Sequence, residues 1–292
     1  MGRAINKPIF AGDVAKHLGL VCTAPSFQVR EVGSLMHHGD GVLSFAKNAA
    51  WASKAPVDLM KFISPEHYSD ELGPAILSNN PRLDFARSLA YLQQVSGFVW
   101  SQDPAKVDPT ARLGANVVLG KGVVIGSNSV IGHNVVIGDE VEIGSNVTIK
   151  SGAIVGEDGF GFERDISGVA VRLLHIGKVI IEDDVEIGSL TTICRGTLDN
   201  TVIKRSAKID DHVHIAHNVV VGSGAFVIAC AEISGGVKLG ENVWIAPNAA
   251  IMNQVKIGDR ATVGLGAVVL KSVDDEDVVV GNPAKSLKRK ES

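Results

Sequence analysis

Along most of its second two-thirds, this chain places Ile, Val or Leu at every sixth residue. Val107, Leu113, Leu119, Ile125, Ile131, Ile137, Ile143, Ile149 and Val155 form one series. Ile181, Ile187 and Ile193 form a second, and a third runs in sixes from Ile203 through Ile209, Ile215, Val221, Val227 and Ile233 to Val269. A six-residue period fits neither a helix, with its repeat of about 3.6, nor plain strand alternation. It fits a parallel β-helix, in which each hexapeptide makes one short strand and a turn. The aliphatic residue points inward, and three hexapeptides close a coil, so positions about 18 residues apart stack. The turn positions are filled by small or turn-tolerant residues, as in Ile125-Gly126-Ser127-Asn128.

Residues 1–100 lack this period and read as a small α/β domain, in which Asn80-Pro81 opens a helix with Leu83, Phe85, Ala86, Leu89 and Leu92 on its apolar face. The β-helix is expected over residues 101–280, and residues 281–292 form a basic tail. Two segments break the repeat. One runs from Val155 to Ile181 and contains Asp158-Gly159-Phe160-Gly161-Phe162; the other adds four residues around Arg195-Gly196. Loops leaving a rigid solenoid are the usual place for binding residues, and Phe160 and Phe162 are notable in a chain that is 5% aromatic.

The net charge of -4 gives no footprint for nucleic acid. No run approaches the roughly 18 apolar residues of a membrane span. Three scattered cysteines suit a reducing cytoplasm rather than a disulfide framework, so a cytoplasmic location is expected.

Register selects a candidate for chemistry. His217 lies two places after the inward Ile215, at a corner, and Gly235 lies one coil above it. An imidazole can take a proton from an amine or hydroxyl nucleophile, and a glycine amide can donate to a tetrahedral oxyanion. That is equipment for acyl transfer without a covalent enzyme intermediate, and it requires no metal.

Ile215-Ala216-His217-Asn218-Val219, the Asp158–Phe162 loop and Arg195-Gly196 resemble the UDP-3-O-acylglucosamine N-acyltransferases of lipid A synthesis. Asn80-Pro81-Arg82-Leu83-Asp84-Phe85-Ala86 is also similar to that family, and Phe45-x-x-Asn48-x-x-Trp51 resembles its uracil-binding motif. The resemblance implies a left-handed parallel β-helix, assembled as a homotrimer with active sites between subunits. It implies His217 as general base, Gly235 as oxyanion donor and Asp210 as a supporting carboxylate. Phe45, Asn48 and Trp51 would hold uracil or thymine, and Asp158, Phe160 and Phe162 would line the sugar or donor site.

There are departures. Gln254 stands where the family carries a second histidine, and Cys194-Arg195-Gly196 replaces Asp-Arg-Gly. The family ends in a helical extension that contributes to trimer assembly and carrier-protein contact. Here Val280-Gly281-Asn282-Pro283-Ala284-Lys285 instead resembles the close of sugar acetyltransferases that use coenzyme A, and Lys285, Lys288 and Arg289 are placed to meet its phosphates. The expectation is therefore an N-acyltransferase carrying acetyl or a short acyl group from acyl-coenzyme A to a nucleotide-linked amino sugar of a surface polysaccharide or lipopolysaccharide. The alternative is the lipid A reaction itself, with acyl carrier protein as donor. Two further readings stay open. A γ-class carbonic anhydrase would need zinc on His175, His212 and His217, and a solenoid can also be a scaffold without chemistry.

Overall fold

The computed structural model describes residues 2–287 and divides into two compact units. One comprises the chain up to Trp100 together with Phe160–Gly177 and Thr197–Asp199. The other comprises Ser101–Gly159, Lys178–Gly196 and the chain from Asn200 onward.

The second unit is a parallel β-helix with three faces. The first face stacks strands from Lys106–Val107 to Lys256–Ile257, the second from Arg112–Leu113 to Val278–Val280, and the third from Val118–Leu119 to Val268–Val269. Registry is strict: Ile125 pairs with Ile143, Ile131 with Ile149 and Ile137 with Val155. It survives both insertions, since Ile143 pairs with Ile181 and Ile187 with Ile209. The inward aliphatic residues form one continuous buried core. Their removal from water is the main stabilising term, at roughly 25 cal/mol per Å² of apolar area.

The corners explain the rest of the hexapeptide. Three residues after each inward aliphatic residue the backbone turns left-handed, as at Asn128 (φ 58°), Asn146 (φ 58°) and Asn218 (φ 61°). Asn tolerates that region better than most residues. The residue after the aliphatic is often Gly because the next coil lies against it. A Cβ on Gly222 would fall 2.0 Å from the Gly240 carbonyl oxygen. Beyond Val278–Val280 the chain reverses, and Lys285–Ser286 pairs antiparallel with that strand.

The first unit is built on a six-stranded sheet. Its strands are β1 (Gly2–Phe10), β2 (Val21–Cys22), β3 (Gln28–Gly33), β4 (Val42–Phe45), β5 (Met60–Ile63) and β6 (Ala75–Leu77), in the order β1-β3-β4-β5-β6-β2. The pairs from β3 to β6 are parallel, and β1 and β2 close the edges antiparallel. Helices α1 (Ala11–Leu18) and α3 (Pro81–Val95) contribute Val14, Phe85 and Leu89 to a core with Leu43, Met60 and Phe62. The helix expected at Asn80-Pro81 forms as read. Asn80 Oδ1 accepts from Leu83 N–H at 3.3 Å, and Pro81 occupies the first turn.

Phe160–Gly177 and Thr197–Asp199, from the two segments that interrupt the repeat, are part of this first unit. The longer one folds into a hairpin of Phe162–Arg164 with Ala170–Arg172. Leu173 and Ile176 join the buried core, and Leu198 packs against it. Ion pairs from α3 fix the hairpin, Arg82 to Glu163 at 3.0 Å and Arg87 to Asp165 at 3.8 Å.

Candidate functional site

His217 lies at the corner between the third-face strand His214–Ile215 and the first-face strand Val220–Val221. Ile215 is fully buried and fixes the register, so His217, two places on, faces outward at the turn and is half-buried. Gly235 occupies the same place one coil above. A Cβ there would fall 2.6 Å from His217 Cε1 and 2.8 Å from Nε2, so the imidazole fills the space a side chain would need. Backbone bonds clamp the two coils. Gly236 N–H donates to His217 O at 2.8 Å, and Gln254 N–H donates to Gly235 O at 2.9 Å.

His217 Nδ1 lies 3.0 Å from Asn218 Oδ1. That oxygen accepts, so Nδ1–H is the donor, and in the neutral ring Nε2 is the nitrogen with the lone pair a base requires. Asn218 is a partner that register reading passed over; the signal was its place beside the histidine, at the left-handed turn position.

The Gly235 amide is open, as are those of Ser127, Ser151 and Ser223 at the equivalent turn position. At four corners the N–H at this turn position is capped by an aspartate from the coil above. Asp139, Asp183, Asp211 and Asp259 accept from the N–H groups of Lys121, Ser145, Ser189 and Glu241 at 2.6–2.8 Å. Asn253 stands above Gly235, and the Gly235 N–H has no acceptor among the described residues. An open amide beside an imidazole can stabilise an oxyanion while a proton is withdrawn.

Other expected residues fall elsewhere. Two coils above His217 the stack reaches Asn253; Gln254 is the next residue, exposed and left-handed (φ 63°), above Gly236. Asp210 lies at the corner between the second and third faces, where its Oδ2 accepts from Ala229 N–H at 3.2 Å. Within one chain it is therefore at a different corner from His217. His212 lies at that same second corner, and His175 belongs to the first unit, with Nδ1 3.1 Å from Leu173 O. No metal-holding group of His, Cys, Asp or Glu occurs among the described residues.

Arg195 is buried and donates to Gly156 O and Asp139 O, each at 2.8 Å. Its Nε lies 3.9 Å from Asp158 Oδ1, which holds that carboxylate at the root of the first interruption. Burial pushes the neighbouring Cys194 thiol up to about 11, helped by the negative charge of Glu232 and Asp158. Phe160 is 86% exposed and packs edgewise on Phe162 with centroids 5.0 Å apart; the Arg172 guanidinium lies 5.1 Å over Phe162.

In the first unit, Asn48 caps the short helix α2 (Ala49–Ala52), its Oδ1 accepting from Trp51 N–H at 3.0 Å. Its amide NH₂ is thus the group left to donate to a base carbonyl. Trp51 is half-exposed, with Lys54 Nζ 5.3 Å from its ring centroid, whereas the Phe45 ring packs 5.1 Å from Phe85 at the edge of the core. Trp51 therefore offers the more open stacking surface. Lys285 is exposed on its terminal strand; Lys288 and Arg289 lie outside the described residues. No helix among the described residues is long and apolar enough to cross a membrane.

A family model described as bacterial transferase hexapeptide (six repeats) matches residues 122–157 and 236–271. A UDP-3-O-acylglucosamine N-acyltransferase of Coxiella burnetii is 38% identical over 55% of this chain and 54% of its own length. UDP-3-O-acylglucosamine N-acyltransferase 2 of Legionella pneumophila is 52% identical over 47% of this chain and 40% of its own. The chain thus spans about half the length of the curated relatives it matches. Among solved structures, the UDP-N-acetylglucosamine acyltransferase of Francisella novicida superposes with a TM-score of 0.56 at 26% identity, over 64% of this chain and 66% of that one. The chain is a left-handed parallel β-helix of the hexapeptide-repeat type, preceded by a small α/β region, and it resembles the UDP-3-O-acylglucosamine N-acyltransferases.

Proposed function

We propose that this chain is a nucleotide-sugar N-acyltransferase with His217 as general base and the Gly235 amide as oxyanion donor. One observation supports it above all: an imidazole packed directly on a glycine whose amide stands open, so that a base and an oxyanion donor share one corner. In this reading the sugar amine attacks a thioester carbonyl while His217 Nε2 takes the proton it sheds. The Gly235 N–H receives the developing oxyanion. Collapse expels the thiolate, which takes the proton back from the imidazolium, so the base is restored and nothing is left on the enzyme. Trp51 and Phe45 would stack on the nucleotide base, and the Asn48 amide would donate to one of its carbonyls.

The acceptor follows the relatives, which are named for acylating UDP-3-O-acylglucosamine. That supports the lipid A-type reaction better than a short acyl group carried to another amino sugar by coenzyme A. Asp210 can support His217 only from a neighbouring copy, which accords with a homotrimer whose sites are shared. The three free cysteines accord with a reducing cytoplasm.

The test is acyl transfer to UDP-3-O-acylglucosamine, with a 3-hydroxyacyl carrier protein and acetyl-coenzyme A offered separately. Transfer from the carrier protein is expected. Transfer from acetyl-coenzyme A alone would replace the lipid A reading with the short-acyl one, and transfer from neither would refute the acyltransferase.

A further inference from the structure

The outward side of the third face is aliphatic at Ile154 and again at Ala250 and Val268. Between them it is polar for three consecutive rungs, Thr192, His214 and Glu232. Those rungs are the ones that run into Arg195, His217 and Gly235. His214 Nδ1 lies 2.7 Å from Thr192 Oγ1, which ties the ring toward the coil below. Glu232 stands directly above His214 in register and is exposed. Its Oε1 accepts from Ser234 Oγ at 3.5 Å, so the carboxylate leans along the rung toward Gly235. No Lys or Arg pairs with Glu232 among the described residues.

The corner therefore sets two opposite demands side by side. The Gly235 amide calls for an oxygen that gathers negative charge, and Glu232 calls for a cation or a strong donor. A basic amine attacking a carbonyl supplies both. We infer that Glu232 is the residue that selects a basic amine as the acyl acceptor, receiving it in its ammonium form on arrival. This rests on the reading of the chain as a sugar N-acyltransferase. The ammonium loses one proton to solvent before attack and the second to His217 during it. The product is an amide, which is neutral and has lost the charge Glu232 attracts, so the same contact that favours binding of the acceptor does not retain the product.

The experiment is calorimetric binding of UDP-glucosamine and UDP-N-acetylglucosamine at neutral pH to the full chain and to Glu232→Gln and Glu232→Asp. The exposed position makes all three expected to fold. The unsubstituted protein should bind the amine about tenfold or more tighter than its N-acetyl form, Glu232→Asp should keep part of that ratio, and Glu232→Gln should bring it to about one. An unchanged ratio in Glu232→Gln, or equal binding of both sugars by the unsubstituted protein, overturns the inference. Acyl transfer measured in parallel separates the two ideas. Transfer with no change of ratio sinks Glu232 and leaves the acyltransferase; a lost ratio without transfer sinks the acyltransferase and leaves the ammonium site.

Discussion

Replacing Gly235 by Ala tests the reaction centre without deleting any group from it. The backbone N–H survives, so the oxyanion donor is kept. What changes is the imidazole. The new Cβ would fall 2.6 Å from His217 Cε1, 2.8 Å from Nε2 and 3.2 Å from Nδ1. Carbon atoms rest at about 3.5 Å, so the ring must retreat by about 0.9 Å. Retreat also strains the 3.0 Å contact to Asn218 that sets the tautomer. A misplacement of about 1 Å at a reacting group costs about 100-fold in rate. Initial rates of thiol release should therefore show kcat down about 100-fold, with KM for either substrate within about threefold. His217→Ala should lose about 100-fold or more, and the double variant should be no worse than the poorer single, because a displaced base and a missing base fail in the same way. A Gly235→Ala enzyme with near-normal kcat, or a double variant whose losses multiply, would refute this geometry.

Trp51→Ala should raise the acceptor's KM more than it lowers kcat; an unchanged KM would remove it from the base site. Asn48→Ala should also loosen the Trp51 turn, costing about 1 kcal/mol of cap, while Asn48→Asp keeps the cap and loses only the donor, a difference thermal melts will resolve. Burial holds the Lys61 ammonium below its usual range against the opposing pull of Asp58, and its Nζ donates to Leu72 O. Between that lowered value and 10.5 the unfolded chain binds more protons, so stability should rise with pH across that window; Lys61→Met should flatten the slope and add about 1 kcal/mol at neutral pH in urea melts. A thiol reagent at neutral pH should modify exposed Cys230 quickly and spare Cys194, buried and pushed up to about 11, until the protein unfolds.

The β-helix was legible because its period is enforced by packing. Each inward Ile or Val must meet its equivalent a coil away, so an error of one residue would turn the core outward. The same register puts His217 beneath Gly235, where the imidazole packs. Register says little about what leaves the coil. That Phe160–Gly177 packs with the first unit depends on Leu173 and Ile176, whose spacing follows no repeat. The resemblance places Asp210 with His217, whereas seven residues on a β-helix carry the chain past a whole face to the next corner. Glu232 escaped notice because outward positions vary without a pattern; its meaning comes from the aliphatic rungs on either side.

On the proposed reading, the corner leaves uncapped a turn that the repeat can close. Lower on the same edge, Asp139 Oδ1 accepts from Lys121 N–H at 2.8 Å and closes the turn. Gly235 is instead overhung by Asn253, which leaves its amide open at a cost of about 1 kcal/mol in one missing hydrogen bond. Asn253→Asp should supply a cap like the one Asp139 gives Lys121. The expected result is a protein more stable by about 1 kcal/mol and slower by about 100-fold, because the oxyanion would then compete with a carboxylate for the only donor it has. Stability and turnover moving in opposite directions is what distinguishes a donor kept open for the reaction from a turn that merely lacks its cap. If Asn253→Asp stabilises the protein and leaves kcat unchanged, the Gly235 amide takes no part in the chemistry.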